Sequence, residues 1–429
     1  MTEGCSGWMT QTNPTSLKGS HMSRNRMQAI LRSGVAPAIL TPAFANTLTG
    51  LIPSLYAGLD IVSRELVGLA PAVTRNVAAE RAAVDQTVVF PIVPDATTSN
   101  VVPQMAIPEP GDKAIDNNTL TITKSKSAEF GITGEETLGL GGNMWQTIQA
   151  DLFAQGVRAL VNELEADGMA EAYANAGLFY AAPAGGLFSG DKMTDAAQMR
   201  KLLDDQGAPI TGRAMILSTA SGANMRSMYN LTRANEAGTT MTLRDGELME
   251  LMGFSVHESG QGVTRTQGTA AAATTDTTGY AVGATTITLA AAGTGTFVAG
   301  DVIQFAGDSN RYVVRKGDTD VSNGGSITLT SGLRQAIPAA ATAITRPIAG
   351  TSFTGQGVAF SRDAMVLAAR APALPPGGDA ARERMQITDP RSGITFEVSV
   401  YEGYRKLRYE VALAWGWKAV KPRHIIAAA

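Results

Sequence analysis

The sequence predicts an α+β fold, on three observations. First, the last forty residues alternate: Ile394, Phe396, Val398 and Val400 are apolar, with Thr395, Glu397 and Ser399 between them. After Tyr401-Glu402-Gly403-Tyr404 the alternation resumes, with Leu407, Tyr409, Val411, Leu413 and Trp415 set against Arg408, Glu410, Ala412 and Ala414. Period two on both sides of a Gly-containing break predicts an antiparallel hairpin with one buried face. Second, apolar residues at three- and four-residue spacing predict one long helix over 143–175. Third, residues 261–350 contain no Glu, His, Cys, Met or Trp and are dominated by Gly, Ala and Thr. Helix formers are scarce there, which predicts a small β-barrel or sandwich inserted into an α/β region.

Bulk properties exclude several classes. A chain of 429 residues has room for two or three domains, each with a core. The net charge of -3 argues against a dedicated nucleic-acid binder, although a container wall can face nucleic acid without being basic. Cys5 is the single cysteine, which rules out an intramolecular disulfide and suits a reducing compartment. No apolar run reaches the ~18–20 residues of a membrane span. The stretch from Ile30 to Ala45 is broken by Arg32, Gly34, Pro37 and Pro42 and reads poorly as a signal peptide. A cytoplasm, or particles assembled there, is the expected location.

In chain order, residues 1–44 carry few order signals and four methionines that could each be a start, Met1, Met9, Met22 and Met27. Gly19-Ser20-His21-Met22 matches the scar of a tag-cleavage cloning design, so the segment is either natural or added by cloning. Over 45–73, Leu51, Leu55, Leu59, Val62, Leu66 and Leu69 predict an arm helix ending at Gly68 to Pro71. Residues 74–142 look extended, with Val88-Val89-Phe90, Leu120/Ile122 and Phe130/Ile132 as strands and prolines at 91, 94, 103, 108 and 110. That spacing predicts a long two-stranded excursion. The helix that follows has Ile148, Leu152, Val157, Leu160, Val161 and Leu164 as its apolar stripe, opposed by Asp151, Arg158, Glu163, Glu165 and Asp167. Its length, about 50 Å at 1.5 Å per residue, suits a spine on which other elements pack; Gly156 and Gly168 are expected to mark bends.

Within 143–260 the chain then reads α/β. Thr194 is expected to cap a helix to Gln206, Ala214 to Leu217 is a short buried strand, and helices follow near 222–232 and 244–252. The methionines crowded here (215, 225, 228, 241, 249 and 252) read as adaptable core packing or soft interface surface. The block 261–350 has β-like runs at Thr285-Ile287-Leu289, Val302-Ile303-Phe305, Tyr312-Val313-Val314 and Ile327-Leu329. Residues 351–429 resume with Val358 to Ala368, a turn at Pro372 to Gly378, and the hairpin.

No catalytic constellation accompanies this scaffold. His21, His257 and His424 have no metal-ligand spacing, and no cysteine cluster helps them. Glu135-Glu136 resembles an acid/base pair, but adjacent residues point apart and Glu is favoured near a helix start by the macrodipole. Gly139-Leu140-Gly141-Gly142 precedes a helix but lacks the Lys and Ser/Thr of a phosphate loop. Thr219-Ala220-Ser221-Gly222 lacks the first glycine of a nucleophile elbow. Lys124 and Lys126, near Arg75 and Arg81, are candidate nucleic-acid contacts, a solvated face, or intersubunit partners of acidic residues. Trp415 and Trp417 flank Gly416 and read as core or interface anchors. No catalytic residue, no cofactor and no metal are therefore expected.

Several segments together resemble a known family. Ala45-Asn46-Thr47-Leu48-Thr49 through Leu51-Ile52-Pro53, Val62-Ser63-Arg64-Glu65-Leu66, Ala79-Glu80-Arg81-Ala82-Ala83, Thr121-Ile122-Thr123-Lys124-Ser125 and Gly134-Glu135-Glu136 carry the first half. Gly253-Phe254-Ser255-Val256-His257-Glu258-Ser259, Ala299-Gly300-Asp301-Val302, Val358-Ala359-Phe360-Ser361-Arg362-Asp363-Ala364 and Tyr401 through Lys421-Pro422 carry the second. In this order they resemble the major capsid (coat) protein of tailed bacteriophages, of the short-tailed temperate type with an inserted domain, over residues 45–425. In that family the counterpart of Ala45 to Thr49 lies almost at the N-terminus, so residues 1–44 are extra.

The resemblance implies the Johnson fold: a peripheral domain with the spine helix and closing hairpin, an axial domain, an extended β-loop at 74–142, and an inserted domain projecting from the surface. It implies self-assembly, as hexamers and pentamers, into an icosahedral procapsid that later expands around double-stranded DNA. The implied partners are other copies of the chain, a scaffolding protein, a portal protein, weakly contacted packaged DNA and an optional decoration protein, with no membrane. The implied location is the virion, assembled in the host cytoplasm. Two competing readings are a cellular encapsulating shell of the same fold and an α/β enzyme with its site near Glu135-Glu136 and His257.

Overall fold

Two sheets and one long helix organise the chain. A computed structural model describes residues 67–76, 80–92, 100–103, 105, 116–140, 142–190, 193–232, 250–389 and 392–429, together with 58, 59 and 62. The extension 1–44 and most of the expected arm helix lie outside these residues; 58, 59 and 62 are helical.

The described elements begin with a short helix α1 (Leu69–Ala72), strand β1 (Thr74–Asn76), a ribbon of β2 (Thr87–Ile92) and β3 (Asp116–Thr121), and the long strand β4 (Lys124–Thr133). Helix α2 (Gly134–Leu140) leads into α3 (Gly142–Ala174), followed by β5 (Leu178–Tyr180), α4 (Thr194–Asp205), β6 (Arg213–Ser218), α5 (Thr219–Ser227), α6 (Tyr229–Thr232) and β7 (Ser255–Ser259). Next come β8 (Thr264–Thr266), β9 (Thr286–Leu289), β10 (Val302–Phe305), β11 (Tyr312–Lys316), β12 (Gly325–Leu329), β13 (Ile344–Thr345) and β14 (Ser352–Thr354). The chain closes with β15 (Gly357–Ser361), β16 (Met365–Arg370), β17 (Ala381–Thr388), β18 (Thr395–Gly403), β19 (Lys406–Ala419) and β20 (Ile425–Ala428).

The first sheet is built on β19, a strand of 14 residues. One flank pairs with β4, from Lys406↔Thr133 to Trp415↔Lys124. The other flank is shared: β18 pairs with it from Gly403↔Lys406 to Glu397↔Ala412, and β16 takes over from Ala414↔Arg370 to Ala419↔Met365. Outside these, β17 pairs with β18 and β1 runs parallel to β16. The hairpin expected from the alternation is present, with its turn at Tyr404-Arg405, where Arg405 has φ 54. The break expected at 401–404 is therefore later, because β18 stays paired through Gly403. The expectation of one buried face also needs correction: Glu397, Ser399, Ala412 and Ala414 are buried too, since the root of the ribbon covers the second face with Leu120 and Ile122.

Helix α3 covers the first face. Phe153, Val157, Leu160, Val161 and Leu164 share a buried cluster with Tyr409, Val411, Leu413, Trp415 and Trp417. Phe130 and Phe153 meet edge to face at 4.7 Å between ring centroids, the geometry aromatic quadrupoles favour. The expected anchoring role of the tryptophans has a polar component. Trp415 Nε1 donates to Asp167 Oδ2 (2.9 Å) and Trp417 Nε1 to the Leu164 carbonyl (2.9 Å). The helix runs unbroken through its two glycines, and both are packing positions. A Cβ at Gly168 would lie 2.6 Å from Leu69 and the Trp417 ring, and one at Gly156 would lie 3.3 Å from Ala128.

Glu165, assigned to the polar face from sequence, is buried. Its carboxylate accepts N–H bonds from Gly68 (2.8 Å), Leu69 (2.6 Å) and Ala70 (3.2 Å). Those are the donors that the first turn of α1 leaves without intrahelical partners. Burial pushes the Glu165 carboxyl above its ordinary pKa, while these N–H groups and Ser259 pull it back. Gly68 to Pro71 is thus where a new short helix starts and not where the arm helix ends.

The second sheet runs β7-β6-β15-β20-β5, with β6/β7 and β20/β5 parallel and the remaining neighbours antiparallel. Strand β11 joins it through Tyr312↔Leu178. From there β13-β10-β11-β12-β9 follow in order. Thr275 bridges to Leu289 at one end of that series, and Thr274 bridges to Ala343, beside β13, at the other. Hydrogen bonds therefore run round a ring of strands. Its apolar residues, Ile287, Ile303, Phe305, Val314 and Ile327 among them, share one buried cluster with Met199, Leu203 and Met215 of the α/β region.

Three local expectations are corrected. Helix α4 begins at Thr194 with Met193 as its N-cap and no side-chain cap bond, so Thr194 is not the cap. Residues 250–254 are a turn closed by a Leu251↔Phe254 bridge, with Met252 at φ 50 and Gly253 at φ 81; the expected helix near 244–252 does not include 250–252, and 244–249 lie outside the described residues. The excursion is shorter than 74–142, because β1 and β4 belong to the first sheet.

Glu165→Ala would strand three buried N–H groups, whose lost acceptor costs ~1–3 kcal/mol each, whereas Glu165→Gln keeps one acceptor oxygen. The expected order of urea midpoints is wild type, then Gln, then Ala, with Ala at least ~3 kcal/mol below wild type. An Ala variant as stable as wild type would refute the capping role.

Candidate functional site

The residues with chemical potential are spent on structure. Glu136 forms a capping box with Thr133: its Oε2 accepts from the Thr133 N–H (2.8 Å), while Thr133 Oγ1 accepts from the Glu136 N–H (3.4 Å). This Thr-x-x-Glu spacing is an N-terminus signal, so the pair marks α2, not the start of the spine helix; Glu135 is exposed. His257 lies on β7 at the edge of the second sheet, 2.9 Å from Ser255 Oγ through Nε2, and burial holds its pKa below the ordinary value. Ser221 Oγ donates to the Gln356 carbonyl (2.9 Å), and α2 and α3 start within Gly134 to Gly142, leaving no phosphate loop. Among the described residues no group of three or more His, Cys, Asp or Glu is placed to hold a metal, and no helix is long and apolar enough to cross a membrane.

The cationic candidates also find partners inside the chain. Because β4 lies under α3, Lys124 Nζ reaches Glu163 (2.7 Å) and Asp167 (2.9 Å), and Lys126 Nζ reaches Glu163 (2.8 Å). Hydrogen bonds from both lysines hold the Glu163 carboxyl below its ordinary pKa. Both lysines thus pair within the chain, strand to helix, with Lys126 still exposed at the surface. Arg81 pairs with Glu397 and donates to the Pro372 carbonyl (2.7 Å).

That last pair leads to the feature most suggestive of function. The β2–β3 ribbon pairs antiparallel from Thr87↔Thr121 to Ile92↔Asp116, and its root is fixed from several directions. Ala82 donates to the Ala371 carbonyl (3.0 Å), Ala373 to the Ala82 carbonyl (2.9 Å), and Thr123 to the Trp415 carbonyl (3.0 Å). Glu397, buried in β18, receives Arg81 from the root and Arg384 (3.3 Å) from β17. Arg384 and the Tyr401 hydroxyl (2.9 Å) both bond Asp379. Val88 and Phe90 pack towards Ala82, Leu120 and Ile122.

Outwards, the ribbon and the residues beyond it present apolar side chains to solvent. Val84 is 48% exposed, Val89 55% and Val101 97%, and Val102 and Met105 are exposed as well. A two-stranded ribbon is marginally stable in isolation, so exposed apolar residues on it and beyond it are candidates for burial against another surface. The extended reading of this segment followed from its prolines and short apolar runs. The buried Glu397 anchor did not, since strict alternation places it on the outer face.

Gly416 sets how closely the root approaches β19. A Cβ there would collide with the Thr121 carbonyl oxygen and lie 3.0 Å from Leu120 Cδ2 and Ile122 Cα. Gly416→Ala is expected to displace the root, costing ~1–3 kcal/mol by overpacking and accelerating protease cleavage between 84 and 123. Cleavage sites and rates matching wild type, read by mass spectrometry, would contradict this placement.

No family model matches the chain, and no curated protein matches it. Among solved structures it is similar to the capsid of the cyanophage P-SCSP1u, at 11% identity over 83% of this chain and 86% of that one, with a TM-score of 0.43. It is similar to the capsid of a native GTA particle at 11% identity, over 93% and 98%, with a TM-score of 0.40. A virus-like particle from Pyrococcus furiosus matches at 8% identity, over 89% and 100%, with a TM-score of 0.41. At these identities and scores the likeness carries no functional argument of its own.

Proposed function

We propose that this chain is a shell-forming subunit, the major capsid protein of a tailed bacteriophage, and that it performs no catalysis. The observation that carries the reading is the ribbon and the segment beyond it: anchored by a buried carboxylate and main-chain bonds at the root, with Val89, Val101, Val102 and Met105 exposed to solvent. A surface of that kind is completed by a neighbour, because two strands cannot bury Val89, Val101 and Met105 themselves. The order of sequence segments over 45–425 supports the same family.

In this reading the six-stranded sheet with α3 is the peripheral domain and the sheet containing β20 is the axial domain. Residues 83–123 are the extended loop. The ring of strands between β9 and β13 is an inserted β-barrel that projects from the outer surface, and its presence favours the phage shell over a cellular one. Copies of the chain assemble as hexamers and pentamers on a scaffolding protein, with a portal protein at one vertex. The wall then expands around double-stranded DNA, which a chain of net charge -3 contacts weakly; a decoration protein is a further partner. Assembly takes place in the host cytoplasm.

Replacing residues 93–115 by a short Gly-Ser turn keeps β2 and β3 paired while removing the reach of the loop. The expected product, co-expressed with its scaffolding protein, is a soluble subunit that makes no closed shells in negative-stain electron microscopy. Shells indistinguishable from wild type would sink the assembly role of the loop.

A further inference from the structure

Because β16 and β18 share one flank of β19 in succession, the pairs β1/β16 and β17/β18 part from that flank and leave a notch. The notch is a cavity of about 370 Å³ lined by Arg75 and Asn76 of β1, by Arg370 of β16, and by Gln386 and Thr388 of β17. Arg370 is 95% buried by the complement of its 5% exposure. Its Nη2 donates to Asn76 Oδ1 (2.9 Å), a neutral amide. Among the described residues its ion pair is with Glu80 Oε2, 4.0 Å from Nη1, on a side chain that is 82% exposed.

Two guanidinium N–H positions at this cavity, Arg75 Nη1 and Arg370 Nε, are buried with no acceptor among the described residues. A buried cation without a close counter-charge is costly unless something supplies acceptors. Elsewhere in the same sheet arginines meet that requirement, Arg81 and Arg384 both on Glu397. The backbone also makes room here: Gly393 has φ +65, and a Cβ at that position would collide with Arg75 Nη1.

We propose that the notch is an oxyanion site, taking a carboxylate or phosphate group between Arg75 and Arg370. Guanidinium forks match the two oxygens of such groups with parallel charge-assisted bonds, and the Gln386 amide lines the same cavity, while the Thr388 hydroxyl there is shared with Thr395 Oγ1 (2.9 Å). Glu80, 82% exposed, lines the same cavity and has to swing away from Arg370 for an anion to bind. The chemistry has two sources, a free phosphate-like anion or an acidic side chain of a second copy of this chain.

The test is a titration of the full-length soluble subunit with inorganic phosphate, followed by thermal unfolding, against sodium chloride matched in ionic strength. The expected result is a saturable rise in the unfolding midpoint with phosphate alone. Arg75→Gln and Arg370→Gln should each weaken the apparent affinity by at least about tenfold, the worth of a lost hydrogen bond to a charged group. No saturable rise over the chloride control overturns the proposal on wild-type protein, whether or not either variant folds. Folded variants with an unchanged phosphate response also overturn it. A second arm separates the sources. Phosphate that blocks shell formation at subunit-saturating concentration identifies a neighbour's carboxylate as occupant. Shells that form normally and still bind phosphate identify a free anion. The titration requires no shells, so failure of the assembly reading leaves it intact.

Discussion

The rest of the structure depends on β19 being hydrogen-bonded along both flanks. A strand paired on both sides has no edge to manage, and from Val411 to Trp417 this one is also covered on both faces. Helix α3 lies on one face through Phe153, Val157 and Leu164, and the root of the ribbon lies on the other through Leu120 and Ile122. The succession of β18 and β16 on a single flank fixes two further features. It places Glu397 where Arg81 can reach it, and it opens the notch between Arg75 and Arg370. A shorter β19 would have room for β18 or β16 but not both.

Close approach has a conformational cost that the sequence accepts at particular positions. A glycine inside a helix or strand is unfavourable by roughly 0.5–1 kcal/mol relative to alanine. Gly168 and Gly416 are nevertheless required, one by the Trp417 ring and the other by the Thr121 carbonyl. Both sit where a second layer meets β19 or its helix. Gly168, which weakens the helix by propensity, is therefore where Leu69 and Trp417 approach it closely.

The parts of the fold legible in the sequence are those where one physical pattern repeats over many residues. The hairpin alternation and the helical stripe extend over ten residues or more, so a single dominant burial direction leaves a clear period. Strand β20 was not anticipated: Ile425-Ile426-Ala427-Ala428 is buried on both faces and too short to show any period. Glu165 and Glu397 were misplaced for a related reason. Each is a carboxylate on a strongly patterned element, and pattern alone assigns it outward. Their partners, the N–H groups of 68–70 and the Arg81 guanidinium, lie 95–97 and 316 residues away in sequence. The charges of Lys124 and Lys126 were visible, but whether they faced solvent, a neighbour or α3 depended on a strand register that only the pairing with β19 defines.

The nature of the ribbon's anchor bears on how it works. A buried ion pair contributes little net stability, because desolvation of both charges consumes most of the Coulomb gain. What it adds is geometry: a carboxylate in β18 shared by guanidinium groups from the root and from β17 fixes where the root leaves the sheet. An apolar root of equal stability would tolerate sliding, since apolar contact is non-directional. Main-chain bonds from Ala82, Ala373 and Thr123 act in the same sense, tying the root to β19 and to the segment after β16. The ribbon is thus directed at its base, where polar and main-chain bonds fix it, while Val89 on β2 and Val101, Val102 and Met105 beyond it stay exposed: direction and exposed apolar surface are separate features of this segment.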